Sequence, residues 1–161
     1  MQRTITSGLL LLFGWGASGG GATAQAPASA SMEAVPVQGL LFGPMLPGIP
    51  EQIAVGDAAR RAEILLTGSG VLDVSIQLPR AMTAPGGATI PLRFGPHDAA
   101  VLYSASSAPV PVNPLELIRV RLDPAAGPTR LLLGGTALPA ANQQAGTYTT
   151  TLVLLVVNTG T

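Results

Sequence analysis

The stretch VLDVSIQL, residues 71–78, alternates apolar and polar side chains from Leu72 onward. One face of the segment carries four apolar side chains, Leu72, Val74, Ile76 and Leu78. The other face carries Asp73, Ser75 and Gln77. Because successive side chains of a β-strand point to opposite faces of the sheet, this period of two is typical of a strand with one buried face. The stretch therefore predicts a strand, and the same pattern can be sought along the rest of the chain.

Further segments follow this pattern, with varying clarity. They are Ala62–Thr67, Ile90–Phe94, residues 116–122, Arg130–Leu133 and Thr147–Val157. Pro91 has no N–H for a ladder, which predicts that its strand lies at a sheet edge. The last segment is the longest, and Val153, Leu155 and Val157 make its second face apolar as well. We expect that second face to be covered by neighbouring strands or by another molecule.

Breaks between these segments are frequent, since the chain holds 20 Gly and 15 Pro among 161 residues. Their spacing is close to the ~8–12 residues per strand of an all-β sandwich. The segment Asp57–Glu63 has a helical composition, and Asp57 could cap a single turn. Because Ile64 and two leucines follow at once, we interpret it as a turn that feeds a strand. The sequence thus predicts an all-β fold, an antiparallel β-sandwich.

The first 24 residues have the order of a cleavable signal peptide. Arg3 is followed by the apolar run Leu9–Phe13 and then by small residues. Ala22 and Ala24 suit cleavage after Ala24, and Ala24 with Ala26 suits cleavage after Ala26, which is less favoured because Pro27 would follow the cut. The run is shorter than the ~20 residues that span a bilayer. We therefore predict export, a signal peptide at 1–24, a short extension at 25–34 and a sandwich domain at 35–158, without stable membrane insertion after cleavage.

Composition excludes several classes of function. The 8 basic and 8 acidic residues give a formal net charge of zero, which argues against a nucleic-acid partner. The absence of Cys excludes disulfides, thiolate catalysis and cysteine zinc sites. Residues 14–19 match G-x-G-x-x-G, but they lie in the predicted signal peptide rather than between a strand and a helix, so we expect no dinucleotide cofactor.

Candidate catalytic residues are few. His97 and Asp98 are adjacent, and Ser104, Ser106 and Ser107 follow, but a triad requires its groups to converge in space. The acidic residues lie near turns or on polar faces, with no clustered loop for calcium. The pairs Arg60/Arg61 and Arg119/Arg121 are interpreted as solvated. We therefore predict a non-enzymatic protein without metal or cofactor, and we keep a module that binds a glycan or a small apolar molecule as the alternative.

Three stretches of the sequence carry a resemblance to a known protein family. The first is GLLFGPMLPG at 39–48, which contains the pattern L-x-F-G-x-x-x-P-G. The second is DAARRA at 57–62, followed by a strand and Thr67-Gly68. The third is LGGT at 133–136 with NQQAGTY at 142–148, followed by a long alternating strand. Together they frame most of residues 35–157, and in this order they resemble the bacterial secreted β-sandwich family catalogued as domain of unknown function 4402.

The resemblance implies an immunoglobulin-like fold similar to spore coat protein U and to chaperone–usher pilin subunits, and a structural role at the cell surface. Its motif positions in this chain are Phe42, Gly43, Pro47, Gly48, Asp57, Gly134, Gly135, Gly146 and Tyr148. It further implies that Gly146 and Tyr148 open the last strand and that Phe42 and Gly43 close the first. The implied partner is another copy or another surface subunit, joined through strand edges.

This chain departs from the family pattern in two places. Asn158 stands where the family's last strand often ends on an aromatic residue. Residues 28–34 offer mostly alanine as alternating apolar side chains, which makes a weak donor strand. Three expectations stay open: polymerisation by strand donation, a self-contained monomer, and a subunit that packs through its exposed edge.

Overall fold

The computed structural model describes residues 32–160, which form twelve β-strands, one 3₁₀ turn at Pro124–Ala126 and no α-helix. The strands are β1 Glu33–Gln38, β2 Glu51–Ile53, β3 Ala62–Thr67, β4 Gly70–Gln77, β5 Ala81–Thr83, β6 Thr89–Arg93, β7 Ala99–Leu102, β8 Val110–Val112, β9 Ile118–Leu122, β10 Thr129–Leu133, β11 Gly135–Ala137 and β12 Val153–Gly160. All recorded strand pairs are antiparallel. The predicted all-β, antiparallel class is confirmed.

The strands form three sheets. Five strands pair in the order β1-β3-β10-β7-β8, four in the order β2-β11-β6-β5, and three in the order β12-β4-β9. The predicted signal peptide at 1–24 and most of the predicted extension lie outside the described residues. β1 begins at Glu33, two residues before the expected domain start, and β12 ends at Gly160, two residues after the expected end.

The main core lies between the five-stranded and the three-stranded sheets. It joins side chains from β3, β7 and β10 to side chains from β4 and β9, namely Ile64, Leu66, Val101, Leu131, Leu72, Val74, Ile76, Ile118, Val120 and Leu122. Half-buried Leu154 and Val156 of β12 pack against the same cluster. The two sheets therefore stack face to face, since each contributes its alternate apolar residues to one shared interior.

A second core cluster lies under the four-stranded sheet. It contains Phe42, Ile53, Met82, Ile90 and Ala137. β10 runs almost directly into β11 through Gly134, so one stretch of chain serves two sheets. A Cβ atom at Gly134 would collide with the carbonyl oxygen of Ile53, which explains why glycine occupies the junction.

Several strand predictions are confirmed within one or two residues. β3 has the predicted bounds, β4 starts one residue early, and β10 begins at Thr129 rather than Arg130. The turn before β3 is also confirmed. Asp57 accepts N–H donation at its backbone oxygen from Arg60 and Arg61, and the strand begins at Ala62.

The prediction that Pro91 marks an edge strand is wrong, because β6 lies between β11 and β5. The Pro91 carbonyl accepts the N–H of Leu138 at 2.9 Å, so its backbone faces the β11 side. Because β11 ends at Ala137, the ladder on that side does not extend to Pro91. The missing N–H of the proline therefore leaves no ladder hydrogen bond unmade. Leu92 donates towards the other neighbour, to Arg80. A central strand thus tolerates proline where its neighbour has already ended.

The predicted last strand, Thr147–Val157, is too long at its start. Thr149 pairs with Thr83 of β5 as an isolated bridge, whereas Val153 pairs with Gln77 of β4. The segment between them crosses from one sheet to another and cannot form a ladder with either. Gly146 and Tyr148 therefore do not open the last strand. Phe42 and Gly43 do not close the first either, because β1 ends at Gln38.

Candidate functional site

A cleft of about 510 Å³ lies beside the second core cluster. Five motif residues from distant parts of the chain line it, namely Phe42, Gly43, Pro47, Gly146 and Tyr148. Its walls also include apolar side chains of Leu40, Met45, Met82, Ile90 and Pro139. The fold thus brings together two of the three stretches singled out in the sequence.

Tyr148 holds one wall of this cleft in place. Its hydroxyl donates to the carbonyl oxygen of Gln144 at 2.5 Å and accepts a hydrogen bond from Nε2 of Gln143 at 2.7 Å. Gln143 also donates to the carbonyl oxygen of Thr89 at 3.2 Å. The 143–148 segment is therefore tied to β6 by one side-chain amide and one phenol.

Two other motif glycines support the fold close to the cleft. Gly48 has φ of +76°, and its N–H donates to the carbonyl oxygen of Ala140 at 3.0 Å. A Cβ atom at Gly135 would lie 2.7 Å from the ring of Phe94, which leaves no room for a larger residue. These positions, like Gly134, are occupied by glycine because neighbouring atoms approach closely.

Asp57 lies outside the cleft, in an ion-pair cluster. Nε of Arg60 lies 2.7 Å from Oδ2 of Asp57, and its Nη1 lies 2.6 Å from Oε1 of Glu51. The hydrogen bond from Arg60 holds the pKa of Asp57 below its ordinary value of 3.8. The carboxylates of Asp57 and Glu51 raise the pKa of the Arg60 guanidinium. The cluster braces the turn that leads into β3.

The interpretation of Arg61 as solvated is wrong. Its side chain is 14% exposed, donates to the carbonyl oxygen of Val55 and pairs with Glu63 at 3.2 Å. Glu63 also pairs with Arg130 of the neighbouring strand at 3.1 Å. Sequence reasoning missed this cluster because the two guanidinium groups are 69 positions apart (130 − 61). Each carboxylate oxygen of Glu63 is therefore engaged by a guanidinium group, whereas the buried Nε of Arg61 has no hydrogen-bond partner among the described residues.

A second cleft of about 470 Å³ lies along the segment that crosses towards β12. Its lining includes Pro36, Gln38, Ile64, Thr150 and Leu152. It shares Leu40, Leu41, Phe42, Met82 and Tyr148 with the first cleft. The two clefts therefore flank the same stretch of chain.

The candidate catalytic residues are placed apart from these clefts. His97 is exposed in the turn between β6 and β7. Oδ2 of Asp98 accepts the N–H of Gly95 at 2.7 Å and so shapes that turn. Ser104 and Ser107 hydrogen-bond to each other within their own turn. Among residues 32–160, no group of three or more His, Cys, Asp or Glu side chains could hold a metal ion.

The outward face of β12 is apolar and exposed. Val153, Leu155 and Val157 are 40%, 48% and 59% exposed, while Leu154 and Val156 face the core. Within the described part of the chain, no strand pairs with the side of β12 that faces away from β4. Among residues 32–160, the neighbouring strands therefore do not provide the cover expected for this second apolar face.

The remaining sheet edges carry features that oppose pairing. β1 contains Pro36 and an irregular register before Gln38, and β8 contains Pro111. β2 and β5 have three residues each. β9 carries Arg119 and Arg121. β12 has eight residues with neither proline nor charge, so it is the unprotected edge among the described strands.

This chain matches no family model, no curated protein and no solved structure. The resemblance to the domain of unknown function 4402 family stays a hypothesis that rests on three short stretches of sequence. Residues 32–160 also contain no helix long and apolar enough to cross a bilayer. The function proposed below therefore rests on the geometry of the clefts and of the β12 edge.

Proposed function

We propose that this protein is an exported, non-enzymatic structural or adhesive protein of the cell surface that associates with other subunits through a β-strand edge. The observation that carries the proposal is the edge of β12, whose eight residues carry no charge and whose first five, Val153 to Val157, are apolar on both faces. Strand addition supplies affinity through main-chain hydrogen bonds and specificity through alternate side chains. A long exposed edge strand without proline or charge promotes aggregation of a protein that acts alone. In a subunit, the same edge provides a surface for assembly.

The proposed sandwich type is immunoglobulin-like, as in pilin subunits. Two antiparallel sheets that share one core support it, and so does a strand order in which sequence neighbours often belong to different sheets. The N-terminal sequence supports export, because a basic residue, a short apolar run and small residues follow in that order. The exposure of His97 and the structural engagement of Asp98 support a role without catalysis.

The experiment is fractionation of cells that express the chain with a C-terminal tag. We expect a processed form whose first residue is Gln25, accessible to antibody on intact cells or present in the medium, and present in assemblies larger than one chain. Leu11→Arg, which interrupts the apolar run, is the matched control and should keep the unprocessed chain inside. An unprocessed chain in the cytosol, or reproducible turnover of a substrate by the purified protein, contradicts the proposal.

A second candidate function is binding of a small apolar molecule. The observation that favours it is the cleft of about 510 Å³ with Leu40, Met45 and Met82 in its lining. Pockets of this size and apolar character hold small ligands in many proteins. The test is binding of an apolar fluorescent probe to the wild type and to Met45→Arg, with the exposed Leu115→Arg as control. Equal probe binding by all three proteins removes this candidate.

A further inference from the structure

We infer that the second cleft is a binding site for the alkyl chain of a single-chain amphiphile, whose head group stays at the mouth of the cleft in contact with water. The inference goes beyond the proposed function, because it requires neither the β12 edge nor the first cleft. It starts from the residues that line the second cleft, which has a volume of about 470 Å³.

The second cleft lies where three groups of core side chains meet. Of its lining residues, Ile64 belongs to the main core, and Phe42 and Met82 belong to the cluster under the four-stranded sheet. Ala62 belongs to a third cluster, which joins residues of β3, β7 and β10. All four side chains are buried. Because folded interiors are ordinarily close-packed, an apolar ligand in this cleft would fill a gap in the packing and contact all three clusters at once.

The lining of the second cleft is uncharged. Among the described residues, none that lines it carries an ionisable acid or base of the Asp, Glu, Lys, Arg or His type. Glu63 of β3 and Arg93 of β6 each stand between two lining residues, but the alternation of side chains along a strand directs them to the opposite face. The part of a ligand that enters the cleft is therefore uncharged, since a buried charge without a partner is costly.

The larger polar side chains of the lining already have partners within the chain. Nε2 of Gln38 donates to the carbonyl oxygen of Ala59 at 3.0 Å and to that of Arg61 at 2.9 Å. The hydroxyl of Tyr148 both donates and accepts a hydrogen bond within the 143–148 segment. Pro36, next to Gln38 on the same wall, has no N–H to offer. These walls suit a ligand that makes no hydrogen bonds along its length, which favours an alkyl chain over a peptide.

The shape and the mouth of the cleft also match such a ligand. Two runs of consecutive residues, 38–42 and 148–152, border the cleft, so that it is elongated like a linear chain. Thr150 and Thr151 are exposed, and their hydroxyl groups can hydrogen-bond to a polar head group at the mouth. Leu41 of the other run is 54% exposed, and a bound chain would remove part of this apolar surface from water.

The first experiment tests the chemistry of the ligand. Isothermal titration calorimetry measures the binding of hexyl, octyl and decyl glucoside to the purified protein, each below its critical micelle concentration. We expect the affinity to rise about fourfold for each CH₂ group that enters the cleft, and the thermal midpoint of unfolding to rise with ligand concentration. Decanedioate, which is charged at both ends, should bind about tenfold or more weakly than decanoate. No binding of any glucoside, or equal binding of the two acids, overturns the inference.

The second experiment locates the bound chain. Of the two clefts, Thr150 lines the second and Thr147 lines the first, and both threonines are exposed. Thr150→Arg places a charge at the mouth of the second cleft, and Thr150→Trp fills the mouth with an aromatic ring. We expect each change to weaken the binding of decyl glucoside about tenfold or more. Thr147→Arg is the matched control and should bind as the wild type does.

Two outcomes of this comparison overturn the inference. Weaker binding by Thr147→Arg, with both Thr150 variants unchanged, would place the ligand in the first cleft. Equal affinity of all four proteins would place it outside both clefts. Far-UV circular dichroism confirms that each variant is folded.

Failure of this inference can be told apart from failure of the proposed function. A protein that binds alkyl chains beside Thr150 but stays in the cytosol contradicts the proposed function and supports this inference. A protein whose binding of the apolar probe is lost in Met45→Arg, but which binds no glucoside, keeps the second candidate function and overturns this inference. Binding to zwitterionic phospholipid vesicles without binding of any monomeric glucoside also overturns it, because the partner would then be a membrane surface rather than a single chain.

Discussion

Arg119 on β9 holds Asp73 on β4 through two hydrogen bonds across neighbouring strands. Nε of Arg119 donates to Oδ1 of Asp73 at 2.8 Å, and Nη2 donates to Oδ2 at 3.1 Å. The pair lies on the outward face of the three-stranded sheet, in register with Val157 of β12. It is the polar part of a face whose β12 side is apolar.

This pair makes stability depend on pH in the acid range. The hydrogen bond from Arg119 holds the pKa of Asp73 below its ordinary value of 3.8. The folded state therefore binds fewer protons than the unfolded state near that pH, so the contribution is complete above 3.8 and is lost as pH falls through the lower, folded pKa. We expect Asp73→Asn to reduce the acid sensitivity of the urea midpoint between pH 5 and pH 2.

The control for that measurement is Asp123→Asn. Oδ1 of Asp123 accepts the N–H of Ala125 at 2.9 Å, and an asparagine oxygen can keep this bond. The two variants remove the same charge, but only one removes an ion pair. An acid-induced loss of stability that is the same in Asp73→Asn and in the wild type contradicts the prediction.

The shared core predicts a large difference between two leucine-to-alanine variants. Leu131 is 0% exposed at the centre of the five-stranded sheet, so Leu131→Ala should lower the free energy of unfolding by about 2–5 kcal/mol. Leu115 is 61% exposed, and Leu115→Ala should change it by no more than about 0.5 kcal/mol. Urea unfolding followed by far-UV circular dichroism measures both. Similar losses in the two variants would mean that the core lies elsewhere.

Alternation predicted the strands that have one buried and one open face. β4 and β9 are of this kind, because each presents one side to the core and the other to solvent. The segment Ala99–Leu102 escaped prediction because it is a central strand with three successive buried residues and no period of two. The short strands β2, β5, β8 and β11 escaped because three residues do not define a period.

The candidate site was predictable only in part. The two apolar faces of the last strand indicated that a second surface needs cover, and β12 does expose Val153, Leu155 and Val157. The cleft at Tyr148 was not predictable, because Phe42 and Tyr148 are brought together by the packing of loops rather than by any local pattern. The spacing of residues along the sequence predicts which face of a strand each side chain occupies. Contacts between loops depend instead on the tertiary fold.

The junction between β10 and β11 predicts a specific sensitivity to one methyl group. Gly134→Ala would set its Cβ against the carbonyl oxygen of Ile53, a backbone atom that cannot move without disturbing the β2–β11 ladder. We expect a loss of about 1–3 kcal/mol in the free energy of unfolding, as for other overpacked sites. Gly39→Ala is the control, since a Cβ at Gly39 meets no atom within 4 Å. Equal urea midpoints for the two variants would contradict the close approach of residue 134 to the carbonyl oxygen of Ile53.

Tyr148→Phe tests whether the phenol holds the wall of the cleft. The change removes the bond to the Gln144 carbonyl and the bond from Gln143, while the ring stays in its apolar surroundings. We expect the free energy of unfolding to fall by about 1 kcal/mol, which is the usual net contribution of hydrogen bonds of this kind. Amide hydrogen exchange of residues 143–148 should accelerate more than exchange of the β4 amides, because the segment loses its tie while the main core is untouched. Tyr103→Phe is the matched control, since Tyr103 packs by its ring against the main core. Unchanged exchange at 143–148 in Tyr148→Phe would show that the loop is held by packing alone.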